Sequence, residues 1–339
     1  MKLRLGLIGQ STDWQQRHLP ALRMLGDRFE VRAVYNAVSS LAEKAATEFD
    51  ARAYCGFREM IADPEVDAIL FLESAWYGTA PVQAACEFGK AIYCGTEVHI
   101  PTSQANALRR IVDQSGIAFM AEFPRRLAPA TLRLKELIAT QLGQPRLLFC
   151  HGRVSPSAGI QDSEAERIIR RELVELLDWS TFIAAKPMDH IQGTEHRNTH
   201  DQSNVDYMSM SVGFRGEEEQ SDAALAQISC GGYIPSTWEE ASNFRPPADI
   251  QVRCEHGLAF LDLPNTLIWF DEAGRHQESL EAELPVGAQL LTQFHRAVTS
   301  LVRKMADLHD VCRGLTALEV AQDSIRRGCR LELKYDSNG

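Results

Sequence analysis

Along the first third of the chain, apolar residues fall in short runs: Leu3 to Ile8, Val31 to Tyr35, Ala68 to Leu72, Ala91 to Cys94 and Ile117 to Ala121. Stretches with helical spacing separate them, and this alternation predicts a parallel sheet covered by helices. The helices have recognisable ends. Ser40-Leu41-Ala42-Glu43 reads as a capping box, Gly89 follows Val82 to Phe88, and Gly116 follows Ala105 to Ser115. Pro20 is expected to restart or kink the first helix, because it brings no backbone N–H.

The pattern changes further along. Helical spacing resumes after Pro129, a strand is expected from Pro145 to His151, and a long helix from about Glu164 to Ala184. Met208, Met210, Val212 and Phe214 then alternate with Tyr207, Ser209, Ser211 and Gly213, the period of a half-buried strand. Ala224 to Cys230, Ile250 to Cys254, Leu258 to Leu263 and Leu267 to Phe270 add strands to a largely antiparallel sheet. Two helices close the chain, Gln289 to Met305 and Leu315 to Arg327, the second capped by Gly328. The fold class read from this is α/β: a Rossmann-type parallel-sheet domain over residues 1–122, and an α+β domain with a large, mainly antiparallel sheet over 123–339. The boundary near Pro124 rests on the change of pattern, for no repeat or low-complexity linker marks it.

Composition narrows the function classes. A chain of 339 residues with 45% hydrophobic and 24% charged residues is globular and long enough for two cores. A net charge of −11 argues against nucleic acid or an anionic membrane as the main partner. The apolar run at Leu3 to Ile8 is too short for a signal peptide, and no run reaches the roughly 18 residues of a membrane span. Eight scattered cysteines without a Cys-x-x-Cys pair read as reduced thiols, so the expected location is the cytoplasm.

Several phrases, in order and without a large insertion, resemble the Gfo/Idh/MocA oxidoreductases, which include glucose-fructose oxidoreductase and inositol dehydrogenase. They are His18-Leu19-Pro20-Ala21-Leu22, Ala62-Asp63-Pro64-Glu65-Val66-Asp67-Ala68, Phe123 through Pro129 with Arg125-Arg126, Leu142-Gly143, and Leu315 to Gly328. The resemblance implies a dinucleotide domain at the N-terminal side and a substrate domain after it. It also implies an active cleft between them, and a homo-oligomer built on the open face of the C-terminal sheet. The implied cofactor is NAD or NADP.

The cofactor motifs depart from that family. A dinucleotide loop needs glycines so that backbone N–H groups can approach a pyrophosphate. Here the loop reads Gly9-Gln10-Ser11-Thr12-Asp13-Trp14, with only the first glycine of G-x-G-x-x-G. Either Ser11 and Thr12 make an unusual phosphate loop, or this is a plain turn in which Asp13, with Gln16 three residues on, caps the helix where a phosphate would sit. Asn36 stands at the ribose position in place of a carboxylate, which loosens a preference for NAD. Where the family has Thr-Pro-x-x-x-His, the chain has Glu73-Ser74-Ala75-Trp76-Tyr77-Gly78, without the proline or the histidine. Gly95-Thr96-Glu97 stands in the register of the family's Glu-Lys-Pro, whose lysine assists proton transfer. Thr96 cannot replace that lysine, and Glu97 is either a crevice carboxylate or a solvated loop residue.

On the substrate side, the family's His-x-x-Asp register reads Glu175-Leu176-Leu177-Asp178. Two carboxylates three apart lie on one helix face and could share a proton as acid and base; alternatively Glu175 pairs with Arg171 and Asp178 follows the helix. Arg126 could fork onto an anionic or polyol ligand or tie the domains together. Trp76 and Tyr77 could stack on a sugar-like ring or fill the space of a nicotinamide. His196, His200 and Asp201 suit a metal only on a helix, and the surrounding sequence reads as a loop, so no metal is expected. His151 and Arg153 are rim candidates. Three functions stay open: an atypical NAD(P)-dependent oxidoreductase on a sugar, polyol or similar small hydroxy or carbonyl compound; a non-catalytic ligand-sensing or partner subunit; and a redox-neutral enzyme using the same carboxylates.

Overall fold

The structure is a computed structural model. It describes the backbone of all residues except 11–12, 74–76, 96–101, 155–161, 198–204, 217–221, 235–239, 241–248, 301–306 and 335–339. The chain divides into two compact units. One comprises residues 1–124 with 284–312, the other 125–283 with 313–339.

In the first unit six strands run parallel: β1 (Leu3–Ile8), β2 (Phe29–Tyr35), β3 (Arg52–Ala53), β4 (Ala68–Phe71), β5 (Ala91–Cys94) and β6 (Phe119–Ala121). Their order is β3-β2-β1-β4-β5-β6. The order reverses beside β1, whose Ile8 lies between Tyr35 of β2 and Phe71 of β4. That reversal is where doubly wound sheets open a ligand crevice. Every residue of β4 and β5 is buried, as expected for strands covered on both faces. The connecting helices are α1 (Leu19–Met24), α2 (Ser39–Phe49), α3 (Phe57–Ala62), α4 (Ala80–Glu87) and α5 (Thr102–Ser115).

Two helix starts differ from the sequence reading. Helix α2 begins at Ser39 with Val38 as its N-cap, and no side chain caps it in the manner of a Ser40–Glu43 box. The Asn36 Oδ1 atom already accepts the Val38 N–H at 2.9 Å, so the first orphan donor is taken from upstream. Before α1, Trp14–His18 form a π-turn, and Asp13 makes no side-chain cap. Its carboxylate instead meets Arg17, four residues on, at 3.0 Å. The wide turn precedes Pro20, which cannot donate to the ladder, and Trp14 is buried edge-on against Phe49.

The second unit holds α6 (Pro129–Leu137), β7 (Pro145–Arg153), α7 (Asp162–Ala184), β8 (Met188–Arg197), β9 (Val205–Arg215), β10 (Asp222–Gly231), β11 (Ile250–Cys254), β12 (Leu258–Asp262), β13 (Thr266–Asp271) and β14 (Gly274–Ser279). With β15 (Leu331–Glu332) these strands form a nine-stranded sheet, ordered β14-β13-β12-β11-β7-β10-β9-β8-β15. All pairs are antiparallel except β10 with β7. The predicted alternation in β9 is present: Met208, Met210, Val212 and Phe214 are buried in one core with Leu173, Leu176, Leu177 and Trp179 of α7. The opposite face leaves Leu147, Phe149 and Phe270 exposed. Helix α8 (Val286–Thr299) belongs to the first unit, and α9 (Leu308–Arg327) ends at Gly328, whose φ is +64°.

Candidate active site

At the C-terminal ends of the first unit's strands stand Gly9 after β1, Asn36 after β2, Glu73 near the end of β4 and Gly95 after β5. Gly9 has φ +72°, a left-handed conformation that side chains rarely adopt, and a Cβ there would stand 2.6 Å from the Glu73 Cβ. Glu73 therefore leans over the loop, with a carboxylate oxygen 3.2 Å from the same point. Asn36 is buried, and the next residue's N–H, on Ala37, donates to the Tyr77 Oη at 2.8 Å. Tyr77 reaches the C-terminal end of β2 in this way. Gln10 is partly exposed beside the loop. Ser11, Thr12, Ser74, Trp76, Thr96 and Glu97 lie outside the described residues.

Beneath Gly95 is a buried ionic cluster. The Glu122 side chain, 2% exposed, accepts from Arg17 Nη1 at 2.5 Å and meets His18 Nε2 at 2.9 Å. Burial by itself would raise the Glu122 pKa, but the facing His18 and Arg17 outweigh it and hold the carboxyl below its ordinary value of 4.5. A Cβ on Gly95 would come within 2.8 Å of that carboxylate, which makes glycine the residue that fits.

In the second unit, helix α7 presents Glu172, Glu175 and Asp178 at spacings of three, so one face carries three carboxylates. Arg125 bridges two of them, donating to Glu172 at 2.5 Å and to Glu175. Arg126 grips the third by both edges of its fork, Nε to Asp178 Oδ2 at 2.7 Å and Nη2 to Oδ1. Arg171 stands 3.5 Å from Glu175, so the i, i+4 pair is present beside the stronger contact from Arg125. Burial raises the pKa of both Glu172 and Asp178, while their arginines pull the other way. The Glu172 side chain packs against β7, where a Cβ at Gly152 would come within 2.6 Å of its Cγ.

The structure thus brings Glu175, Asp178 and Arg126 together in the second unit and Gly9, Gln10, Asn36, Tyr77 and Gly95 along one sheet edge in the first. His151 Nδ1 meets Ser229 Oγ at 2.9 Å, and burial lowers its pKa. Arg153 ends β7 partly exposed. His196 is on a strand, 2.7 Å from Asp206, while His200 and Asp201 lie outside the described residues. Among the described residues no three His, Cys, Asp or Glu side chains are grouped as metal ligands. The sequence reading missed Glu172, Arg125, His18, Glu73 and Glu122 as site residues. A signal existed for Glu172, three residues before Glu175 on the same face; none marked Glu122, whose partners lie more than 100 residues away along the chain.

A six-stranded parallel sheet in this order is the doubly wound arrangement of dinucleotide-binding domains, and here a second unit with a large mixed sheet accompanies it. Residues 3–123 match the model of the Gfo/Idh/MocA oxidoreductase family with an NAD-binding Rossmann fold. An inositol 2-dehydrogenase/D-chiro-inositol 3-dehydrogenase from Shouchella clausii is 32% identical over 203 residues, 57% of this chain and 56% of that protein. An inositol 2-dehydrogenase from Acidothermus cellulolyticus is 34% identical over 150 residues, 43% of each chain. The chain therefore spans about half the length of the curated relatives it matches. A solved NAD binding oxidoreductase from Klebsiella pneumoniae superposes with a TM-score of 0.82 at 16% identity, covering 99% of this chain and 100% of that one. The aldose-aldose oxidoreductase of Caulobacter crescentus does so with a TM-score of 0.82 at 13% identity, covering 98% and 100%. At these identities the likeness is one of fold. Among the described residues no helix is long and apolar enough to cross a membrane.

Proposed function

We propose that the protein is an NAD(P)-dependent oxidoreductase acting on a sugar, polyol or similar small hydroxy or carbonyl compound, with the carboxylates of α7 handling the substrate proton. The observation that carries this is the row Glu172, Glu175 and Asp178 on one helix face, held by Arg125 and Arg126. The inositol dehydrogenase relatives supply the substrate class.

For the cofactor, the left-handed turn at Gly9 after β1 and the buried Asn36 after β2 support the reading, since dinucleotide domains hold pyrophosphate and ribose at the ends of these strands. Asn36 keeps its amide N–H groups for a ribose hydroxyl while its Oδ1 serves Val38. A bound nicotinamide would supply hydride acceptance or donation. The chain's own part is the proton. Asp178, pinned by both edges of Arg126, orients the helix face. Glu172 and Glu175 share the Arg125 guanidinium, which holds both carboxyl groups on one face, where either could exchange a proton with a carbinol oxygen.

Titration calorimetry of cofactor-stripped protein with NAD⁺, NADH, NADP⁺ and NADPH tests this. One form is expected to bind below about 100 µM, worth about 5.5 kcal/mol. A screen of sugars and polyols by nicotinamide absorbance follows, in which Glu175→Gln lowers kcat by about 10²-fold or more without changing dinucleotide affinity. No binding of any form at millimolar concentration sinks the hydride-transfer reading. One observation favours a second reading. The Glu73 carboxylate lies against Gly9 where a phosphate would come, which supports a redox-neutral or ligand-sensing use of the fold. In that case the dinucleotides are silent and a sugar or polyol still binds.

A further inference from the structure

The end of β2 is closed by the protein itself. The Gly9 N–H donates to Tyr35 O at 3.0 Å, the Val38 N–H to Asn36 Oδ1 at 2.9 Å, and the Ala37 N–H to Tyr77 Oη at 2.8 Å. The first is held by the backbone of β2 and the second by a side chain two residues before it. The third is held by a side chain from the β4–α4 crossover, 40 residues further along the chain. The Tyr77 ring is seated among Tyr35, Phe57 and Phe71, with centroids 5.7, 6.2 and 6.3 Å away in tilted or edge-on arrangements. Such aromatic packing adds to the hydrogen bond in fixing the ring. Gly78 follows at φ +55°, exposed, with nothing within 4 Å of where a Cβ would stand. The tether is thus a residue free to change its backbone angles.

We propose that Tyr77 is a latch: its phenol occupies the adenosine end of the dinucleotide crevice and swings away about Gly78 when a dinucleotide binds. This rests on the dinucleotide reading above and concerns the chain's own price of admission. A hydroxyl of the adenosine ribose and the Tyr77 Oη compete for the region of the Ala37 N–H. The apparent affinity of the protein is then reduced by the fraction of molecules in which the latch is open.

The alternative is that Tyr77 is a platform on which adenine stacks, and variants separate the two. Tyr77→Phe keeps the ring and removes the bond to Ala37; Tyr77→Ala removes both. Dinucleotide binding is measured by calorimetry and the association rate by stopped-flow fluorescence, with circular dichroism confirming that each variant is folded. For a latch, Tyr77→Phe binds about five-fold tighter, equivalent to the net worth of one hydrogen bond of about 1 kcal/mol, and the gain is in the association rate. Tyr77→Ala binds at least as tightly as Tyr77→Phe. Binding by the variants with none by the natural protein supports the latch while ending the oxidoreductase reading for the natural sequence. Unchanged affinity in Tyr77→Phe with weaker binding in Tyr77→Ala overturns the latch in favour of the platform and leaves the oxidoreductase reading standing. No binding by any of the three at millimolar concentration overturns both.

Discussion

A carboxylate with 2% of its surface exposed persists as an anion only with charge or hydrogen-bond partners, and Glu122 has the Arg17 guanidinium and the His18 imidazole. Its folded pKa lies below 4.5, so the stability it contributes is fully present above that pH and is lost as the pH falls through the folded value. Glu122→Gln removes the charge and leaves two cation-capable groups facing an amide, which is expected to lower stability at pH 7 by about 3 kcal/mol. Urea unfolding at pH 7 and pH 4 checks this. The gap between variant and natural protein should narrow at the lower pH, and an equal gap at both would contradict the assignment. At this scale the sequence was only half legible. Asp178 and Glu175 could be placed on one face from their spacing, but nothing in spacing could reveal that Arg125 and Arg126, some 50 residues earlier, grip them. Asp13 looked like a cap because cap preference is local, whereas its Arg17 partner was one turn away and stronger.

Elements read more clearly than contacts, because periodicity reports burial directly. Strands β1, β4 and β5 and helix α7 lie within a few residues of where the apolar pattern puts them. Strand β14 escaped because Gly274–Ser279 is polar and mostly exposed, an edge with no apolar face to report it. The parallel pairing of β10 with β7 also escaped, since alternation fixes which face is buried and says nothing of the neighbour. Within the second unit, α7 is tied to α6 by Trp179, fully buried, whose Nε1 donates to Thr131 Oγ1 at 3.0 Å. Trp179→Phe leaves that hydroxyl without its partner, and a cavity where the indole was. The expected loss is about 2 kcal/mol or more by urea unfolding. Adding Thr131→Val should recover part of it, and strict additivity of the two changes would argue against the bond.

At the scale of the whole molecule, the nine-stranded sheet has one face packed by helices and another that exposes Leu147 and Phe149 of β7 and Phe270 of β13, each about 40% exposed. Aromatic and leucine side chains clustered on an open sheet face are the kind of surface that oligomers cover. We propose a homo-oligomer through this face. Light scattering after size exclusion is expected to give a multiple of 37.9 kDa for the natural protein and a shift toward the monomer for Phe149→Lys. A monomeric natural protein at micromolar concentration would set the proposal aside.

The first unit also borrows from far along the chain. Phe294 of α8 lies edge-on to Tyr93 at 5.7 Å, Arg28 Nη1 donates to Thr292 at 3.1 Å, and Gly287 sits against the backbone of Arg17. On a ribosome the first 124 residues emerge long before residue 284 does, a delay on the order of ten seconds at ordinary elongation rates. Through that interval the parallel sheet lacks its last covering helix, and Tyr93 and Phe29 lack the rings that complete their packing. The first unit is thus left without part of its packing until residues 284–312 have been made, and truncations that remove them while sparing every site residue in it would still leave it unfinished.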